Sequence, residues 1–207
     1  MAVDKASVRK ILDKVKAEGR TSLTAPEGKL VCDAYGITVP KEGVATSAAE
    51  AAKLATAMGF PVVLKIVSPT ILHKTEAGGV LVGVKTKEDV ERGYTTIMDN
   101  AKKYDPKADL LGVQVQQMLS GGQEVIIGAV TDPSFGKLVA FGLGGILVEV
   151  LKDITFRLAP ATREDALSML DGIAAAEVLK GVRGAAAVDR NSLASLIQNV
   201  SQLITDF

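Results

Sequence analysis

The sequence predicts an α+β protein. Stretches of helix-period apolar residues, opened by capping patterns and closed by glycine, alternate with short runs of strand length. Those runs come as hairpins more than as strand–helix–strand units, which favours α+β over a doubly wound parallel sheet. The 207 residues, 47% hydrophobic with a mean hydropathy of +0.25, suffice to bury a core in one large domain or two small ones.

Val8, Ile11, Leu12 and Val15 recur at helical spacing, and Gly19 stops that helix. Thr24-Ala25-Pro26-Glu27 is a capping-box pattern with proline in the first turn. It opens a helix carrying Leu30, Val31 and Ala34 that ends at Gly36, and residues 39–45 then read as a short extended segment. Ser47, with Glu50 three residues on, caps a third helix ended by Gly59. Residues 61–67, PVVLKIV, form a buried strand that is apolar except for Lys65. The loop SPTILHKTEAGG leads to a strand at 80–84, after which Thr86 caps a long helix to about Tyr104. Residues 110–119 and 124–130 read as strands joined at Ser120-Gly121-Gly122, a glycine pair that suits a hairpin. Strands at 137–142 and 146–151 flank Gly142-Leu143-Gly144-Gly145. Thr162 with Asp165 opens one C-terminal helix, and residues 191 to about 205 form the last.

Composition narrows the function. The 24 basic and 24 acidic residues balance, so no global field draws the chain to nucleic acid or to an anionic membrane. A single Cys and a single His exclude a disulfide framework and a four-ligand Cys/His zinc site within one chain. Aromatic residues make up 4%, with no Trp, which argues against a base-stacking platform. Charges at Asp4, Lys5, Arg9 and Lys10 fall where a secretory signal needs an apolar run. The longest uncharged apolar stretch, residues 138–148, is too short and too rich in glycine to span a bilayer. A soluble cytoplasmic protein is expected, with Cys32 as a core thiol.

The glycines cluster at Gly78-Gly79, Gly121-Gly122 and Gly142 to Gly145. Neither P-loop nor dinucleotide fingerprint survives inspection. Gly78 and Gly83 have the P-loop glycine spacing, but Val84 displaces Lys85 by one position, and Gly142-Leu143-Gly144-Gly145 is not a GxGxxG. Glycine pairs serve either as tight turns or as places where backbone amides approach a phosphate. Their neighbours favour the second reading: Lys65, His73 and Lys74 precede the first cluster and Glu124 follows the second. Lys65 within an apolar strand needs a compensating charge, and a phosphate supplies one. His73 is on a glycine-containing loop beside Lys74, and an imidazole can act as a nucleophile toward a phosphoryl group. Lys74 either steers that phosphate or is simply solvated. Glu149 interrupts the apolar run ILVEVL and is expected to face a cleft or a partner, whereas Arg157 reads equally as a phosphate contact or an interface residue.

Residues 61–84, PVVLKIVSPTILHKTEAGGVLVGV, resemble the ATP-grasp subunit of the ADP-forming acyl-CoA (acetyl-CoA) synthetases. The likeness continues through GGQEVIIGAVTDPSFGKLVAFGLGGILVEVLKDITFRLAP and LKGVRG and covers nearly the whole chain. It implies an ATP-grasp fold of two α+β lobes enclosing a nucleotide cleft, the smaller lobe at 24–112 and the second from 1–23 and 113–207. It implies ATP or ADP and Mg2+ as ligands, with His73 carrying phosphate transiently and Lys65 on the nucleotide phosphates. Gly78, Gly79, Gln116, Gln117, Met118, Leu119 and Glu124 complete the implied nucleotide site, with Lys74, Gly144, Gly145, Glu149 and Arg157 as candidates on the phosphate side. It implies a CoA-binding α subunit or domain as partner, in a hetero-oligomeric ligase inactive without it. The family's acidic-x-Asn-Pro motif for magnesium occurs nowhere in this chain, so the metal ligands are expected beyond Phe207, in a C-terminally shortened form. The alternative is a non-catalytic regulatory module of the kind fused to protein acetyltransferases.

Overall fold

The structure, a computed structural model, describes residues 3–145, 153–182 and 186–207. The predicted strand at 146–151, with Glu149, lies outside the described residues. The chain divides into two compact units, one of Asp4–Ala34 and Thr38–Ser120, the other chiefly of Tyr35–Ile37 and Gly121–Phe207. Residues 4–23 thus group with the first unit, not with 113–207 as expected. Helix α1 (Lys5–Ala17) packs on α2 (Ala25–Ala34), and the Asp4 amide donates to the Ala34 carbonyl.

The first unit is built on a four-stranded sheet of β1 (Glu42–Ala45), β2 (Val62–Val67), β3 (Val80–Val84) and β4 (Gly112–Gln117), in the order β1-β4-β2-β3, every pairing antiparallel. Helices α3 (Ala48–Met58) and α4 (Lys87–Tyr104) cover one face. Strand alternation decides which side chains they meet. Val62, Leu64 and Ile66 of β2 and Val113 and Val115 of β4 join Ala51, Ala55, Val90 and Ile97 in the core. The opposite face therefore receives Val63 and Lys65 of β2, with Gln114 and Gln116 of β4 and Glu42 of β1 in register beside them. The predicted caps form: Ser47 accepts from the Glu50 amide, Thr86 from the Asp89 amide, and Glu27 accepts from both the amide and the hydroxyl of Thr24.

The second unit is a three-stranded antiparallel meander of β5 (Val125–Asp132), β6 (Gly136–Leu143) and β7 (Ile154–Leu158). Helices α5 (Arg163–Asp171) and α6 (Arg190–Asp206) pack on it, burying Val139, Phe141, Leu143, Met169, Leu170 and Ile197. The expected hairpin across Ser120-Gly121-Gly122 does not form: β4 pairs with β1 and β2, whereas β5 pairs with β6. Gly121 and Gly122, both at positive φ, connect strands of different sheets. The true hairpin is β5–β6, whose turn is folded by Asp132 Oδ1 accepting from the Ser134 and Phe135 amides. Among the described residues no helix is long and apolar enough to cross a membrane.

Candidate functional site

The candidate site of the first unit begins at Lys65. A period of two places it on the face of β2 opposite Leu64 and Ile66, so it is half-buried rather than buried as its apolar neighbours suggested. Its Nζ donates to Gln116 Oε1 at 2.8 Å, and Gln116 Nε2 donates to Glu42 Oε2 at 2.7 Å. Burial pushes the Lys65 ammonium below its ordinary pKa; Glu42 opposes that shift and Lys74 adds to it.

The loop after β2 brings His73 and Lys74 to the same place. Ser68 Oγ accepts from the Thr70 and Ile71 amides, and Ile71, 2% exposed, is anchored in the core. A single turn follows, closed by the Ala77 amide donating to the His73 carbonyl and the Gly78 amide to the Thr75 carbonyl. Lys65, Leu72, His73, Lys74, Thr75, Glu76 and Val80 line a recess of about 570 Å³. The His73 side chain is 74% exposed, with Nδ1 3.8 Å from Glu76 Oε1. An accessible imidazole beside two ammonium groups suits receipt of a phosphoryl group.

Gly78 and Gly79 have another occupation than the one expected. Their amides already donate within the loop, to the Thr75 and Lys74 carbonyls at 3.0 and 2.8 Å, so they are not free phosphate donors here. They are needed for close approach instead. A Cβ on Gly79 would fall 2.5 Å from Ile66 Cγ2, and one on Gly78 would fall 2.8 Å from Asn100 Nδ2. Gln116 stands on the site face bonded to Lys65, and the Gln117 amide donates to the Lys41 carbonyl. Beyond β4, the Met118 amide donates to the Pro61 carbonyl and Leu119 is exposed.

In the second unit, Glu124 meets the last glycine cluster. The Gly144 amide donates to the Glu124 carbonyl at 2.8 Å, and a Cβ on Gly145 would lie 2.7 Å from Glu124 Oε2. Gly144 fits closely against the Glu124 and Val125 backbone, and Gly145 has a positive φ of +62°. Arg157, read as a phosphate contact or an interface residue, lines a recess with Phe135, Phe156, Pro160 and Asp165. It pairs across the strands with the buried Val139 of β6, and its guanidinium donates to Thr155 Oγ1, the Phe156 carbonyl and Ser168 Oγ on α5. Glu149 lies outside the described residues. Sequence reasoning missed Glu42 and Glu76: the first joins Lys65 only through strand pairing, though the second, three residues from His73, was available as a local signal.

An ATP-grasp domain model matches residues 14–207. The chain is 49% identical over 198 residues to the β subunit of ADP-forming acetate–CoA ligase I from Pyrococcus furiosus, covering 96% of this chain and 85% of that one. It is 47% identical over 205 residues to the ADP-forming 4-hydroxybutyrate–CoA ligase of Nitrosopumilus maritimus, covering 99% of this chain but spanning only 29% of that enzyme's length. A solved acetyl-coenzyme A synthetase 1 from Candidatus Korarchaeum cryptofilum, in complex with coenzyme A and Ca-AMPCP, superposes with a TM-score of 0.92 at 40% identity, covering 96% of this chain and 87% of that one.

Proposed function

The chain belongs to the ATP-grasp family, and on that premise we propose that it is the nucleotide-binding part of an ADP-forming acyl-CoA synthetase, relaying phosphate through His73. The implied overall reaction is acyl-CoA + ADP + phosphate to carboxylate + CoA + ATP. A CoA-binding α subunit or domain forms the acyl phosphate and delivers its phosphoryl group. One His73 imidazole nitrogen attacks phosphorus, and the bond from phosphorus to the delivering group breaks. The terminal phosphate oxygen of ADP then attacks the phosphohistidine, the P–N bond breaks, and ATP leaves with the imidazole restored. The observation that carries this reading is the recess in which Lys65, His73 and Lys74 share walls.

The protein's part in this is positioning and charge neutralisation. Lys65, braced by Gln116, presents its ammonium to nucleotide phosphate; Lys74 offsets negative charge arriving at His73; the Ile71 anchor holds the loop. The acyl group is the partner's to select. Magnesium, which the family uses with the nucleotide, has no evident seat: among the described residues no three His, Cys, Asp or Glu side chains gather as metal ligands.

The test is phosphate transfer from γ-labelled ATP and magnesium, with and without the cognate CoA-binding partner. Base-stable, acid-labile label on this chain is expected, abolished by His73→Ala, while Lys65→Ala weakens ADP binding without unfolding the protein. Normal labelling of His73→Ala, with full turnover in the reconstituted enzyme, would refute the relay.

A further inference from the structure

Across the face of the first sheet opposite α3 and α4, three side chains from three adjacent strands form one hydrogen-bonded line. Lys65 on β2 donates to Gln116 on β4 at 2.8 Å, and Gln116 donates to Glu42 on β1 at 2.7 Å. A glutamine amide has one accepting end and one donating end. The carboxylate demands the NH2 and the ammonium demands the oxygen, so both charges select the same amide orientation. With the amide reversed, its NH2 would face an ammonium and its oxygen a carboxylate. Removing the Glu42 charge leaves Lys65 alone to hold that orientation, so the line is less firmly fixed.

The same line bears on the charge of Lys65. The groups facing it are Glu42 from β1, Gln114 and Gln116 from β4, Val80 from β3, and Lys74, His73 and Glu76 from the loop after β2. Burial and Lys74 both favour the neutral amine, and Glu42 is the negative charge working against them. A neutral amine would offer a nucleotide phosphate no compensating charge.

We infer that Glu42 is a positioning residue of the nucleotide site, acting through Gln116 to aim the Lys65 ammonium and to keep it charged for a nucleoside diphosphate. This rests on the reading that Lys65 meets nucleotide phosphate. Glu42 itself touches no reacting atom. It sets how tightly, and up to what pH, the diphosphate is held.

The experiment has two readouts. The Lys65 ammonium is titrated by NMR of 13C-labelled lysine, assigned by its loss in Lys65→Arg, in the wild type, Glu42→Gln and Glu42→Asp. ADP binding is measured by calorimetry between pH 7 and pH 10 on the same proteins, on Lys65→Ala, on Lys65→Arg and on the Lys65→Arg/Glu42→Gln double variant. Glu42→Gln is expected to lower the Lys65 midpoint by about half a pH unit or more, equivalent to about threefold in the protonation equilibrium. ADP affinity is expected to fall off at correspondingly lower pH, with Glu42→Asp retaining part of the effect. In the Lys65→Arg background, whose guanidinium does not titrate in this range, Glu42→Gln should no longer move the pH profile. An unmoved Lys65 midpoint in a folded Glu42→Gln protein overturns the inference, as does an equal shift of the ADP profile in the arginine background. If the midpoint moves but Lys65→Ala binds ADP as the wild type does, the proposed nucleotide role of Lys65 falls and Glu42's role toward the diphosphate falls with it.

Discussion

Gly78→Ala tests whether the His73 loop is held by its close packing. Gly78 sits at φ +60°, a left-handed backbone that costs alanine about 1–2 kcal/mol. The added Cβ would also lie 2.8 Å from Asn100 Nδ2, which donates to the Gly78 carbonyl at 3.0 Å. Asn100 must then move, and the bond lost contributes about 0.5–1 kcal/mol at this exposed position. Together the losses come to about 1.5–3 kcal/mol, a fall in Tm of about 3–12 °C for a chain of this length. Asn100→Ala alone should cost only its hydrogen bond. The double variant removes the clash and keeps the backbone strain, so its loss should be smaller than the sum of the two single losses by about 0.5–1 kcal/mol. Thermal and urea unfolding of the four proteins measures this. Because the Gly78 amide also closes the turn onto the Thr75 carbonyl, phosphorylation of His73 should slow although His73 and Lys65 are untouched. An unchanged Tm for Gly78→Ala, or strictly additive losses, would refute the close-packing argument.

Two further predictions concern the two units separately. The Arg20 guanidinium, bonded to Glu27, holds that carboxyl down at about 2 against an ordinary value of 4.5, with burial opposing and the Thr24 amide and hydroxyl assisting. A depressed carboxyl contributes stability that is fully present above its unfolded pKa and is lost as pH falls through its folded pKa. Glu27→Gln should therefore destabilise by about 1–2 kcal/mol at pH 7, the full shift being discounted for solvent screening, and the gap to wild type should close between pH 4.5 and pH 2 in denaturant melts. In the second unit, Ser201 is 0% exposed and its Oγ accepts from the Ala161 amide at 2.7 Å. Ser201→Ala should cost about 1–3 kcal/mol by stranding that amide, visible as a lower urea midpoint with unchanged ADP affinity.

What could be read from the sequence, and what could not, divides by distance along the chain. Helix starts were legible because a cap is completed within three residues, as at Ser47, Thr86 and Thr162. Strand partners were not, because nothing local in residues 112–117 says that they pair with β1 and β2. The glycine pair at 121–122 had the look of a hairpin turn, while the actual turn, at Asp132 to Gly136, is made by an aspartate side chain folding back on two amides. The same division runs through the candidate site. Lys65 and His73 stood out because each is an unusual residue in its own short segment. Gly78 and Gly79 also stood out, but their role depends on Asn100 and Ile66, which pack against them in the fold. Glu42 gave no signal at all, being an ordinary carboxylate at the start of a short strand. It gains meaning only when β4 lies between β1 and β2 and Gln116 links carboxylate to ammonium. The residues proposed to contact phosphate were therefore legible one at a time, whereas the group that aims one of them depends on sheet order, which is fixed by the whole unit's packing.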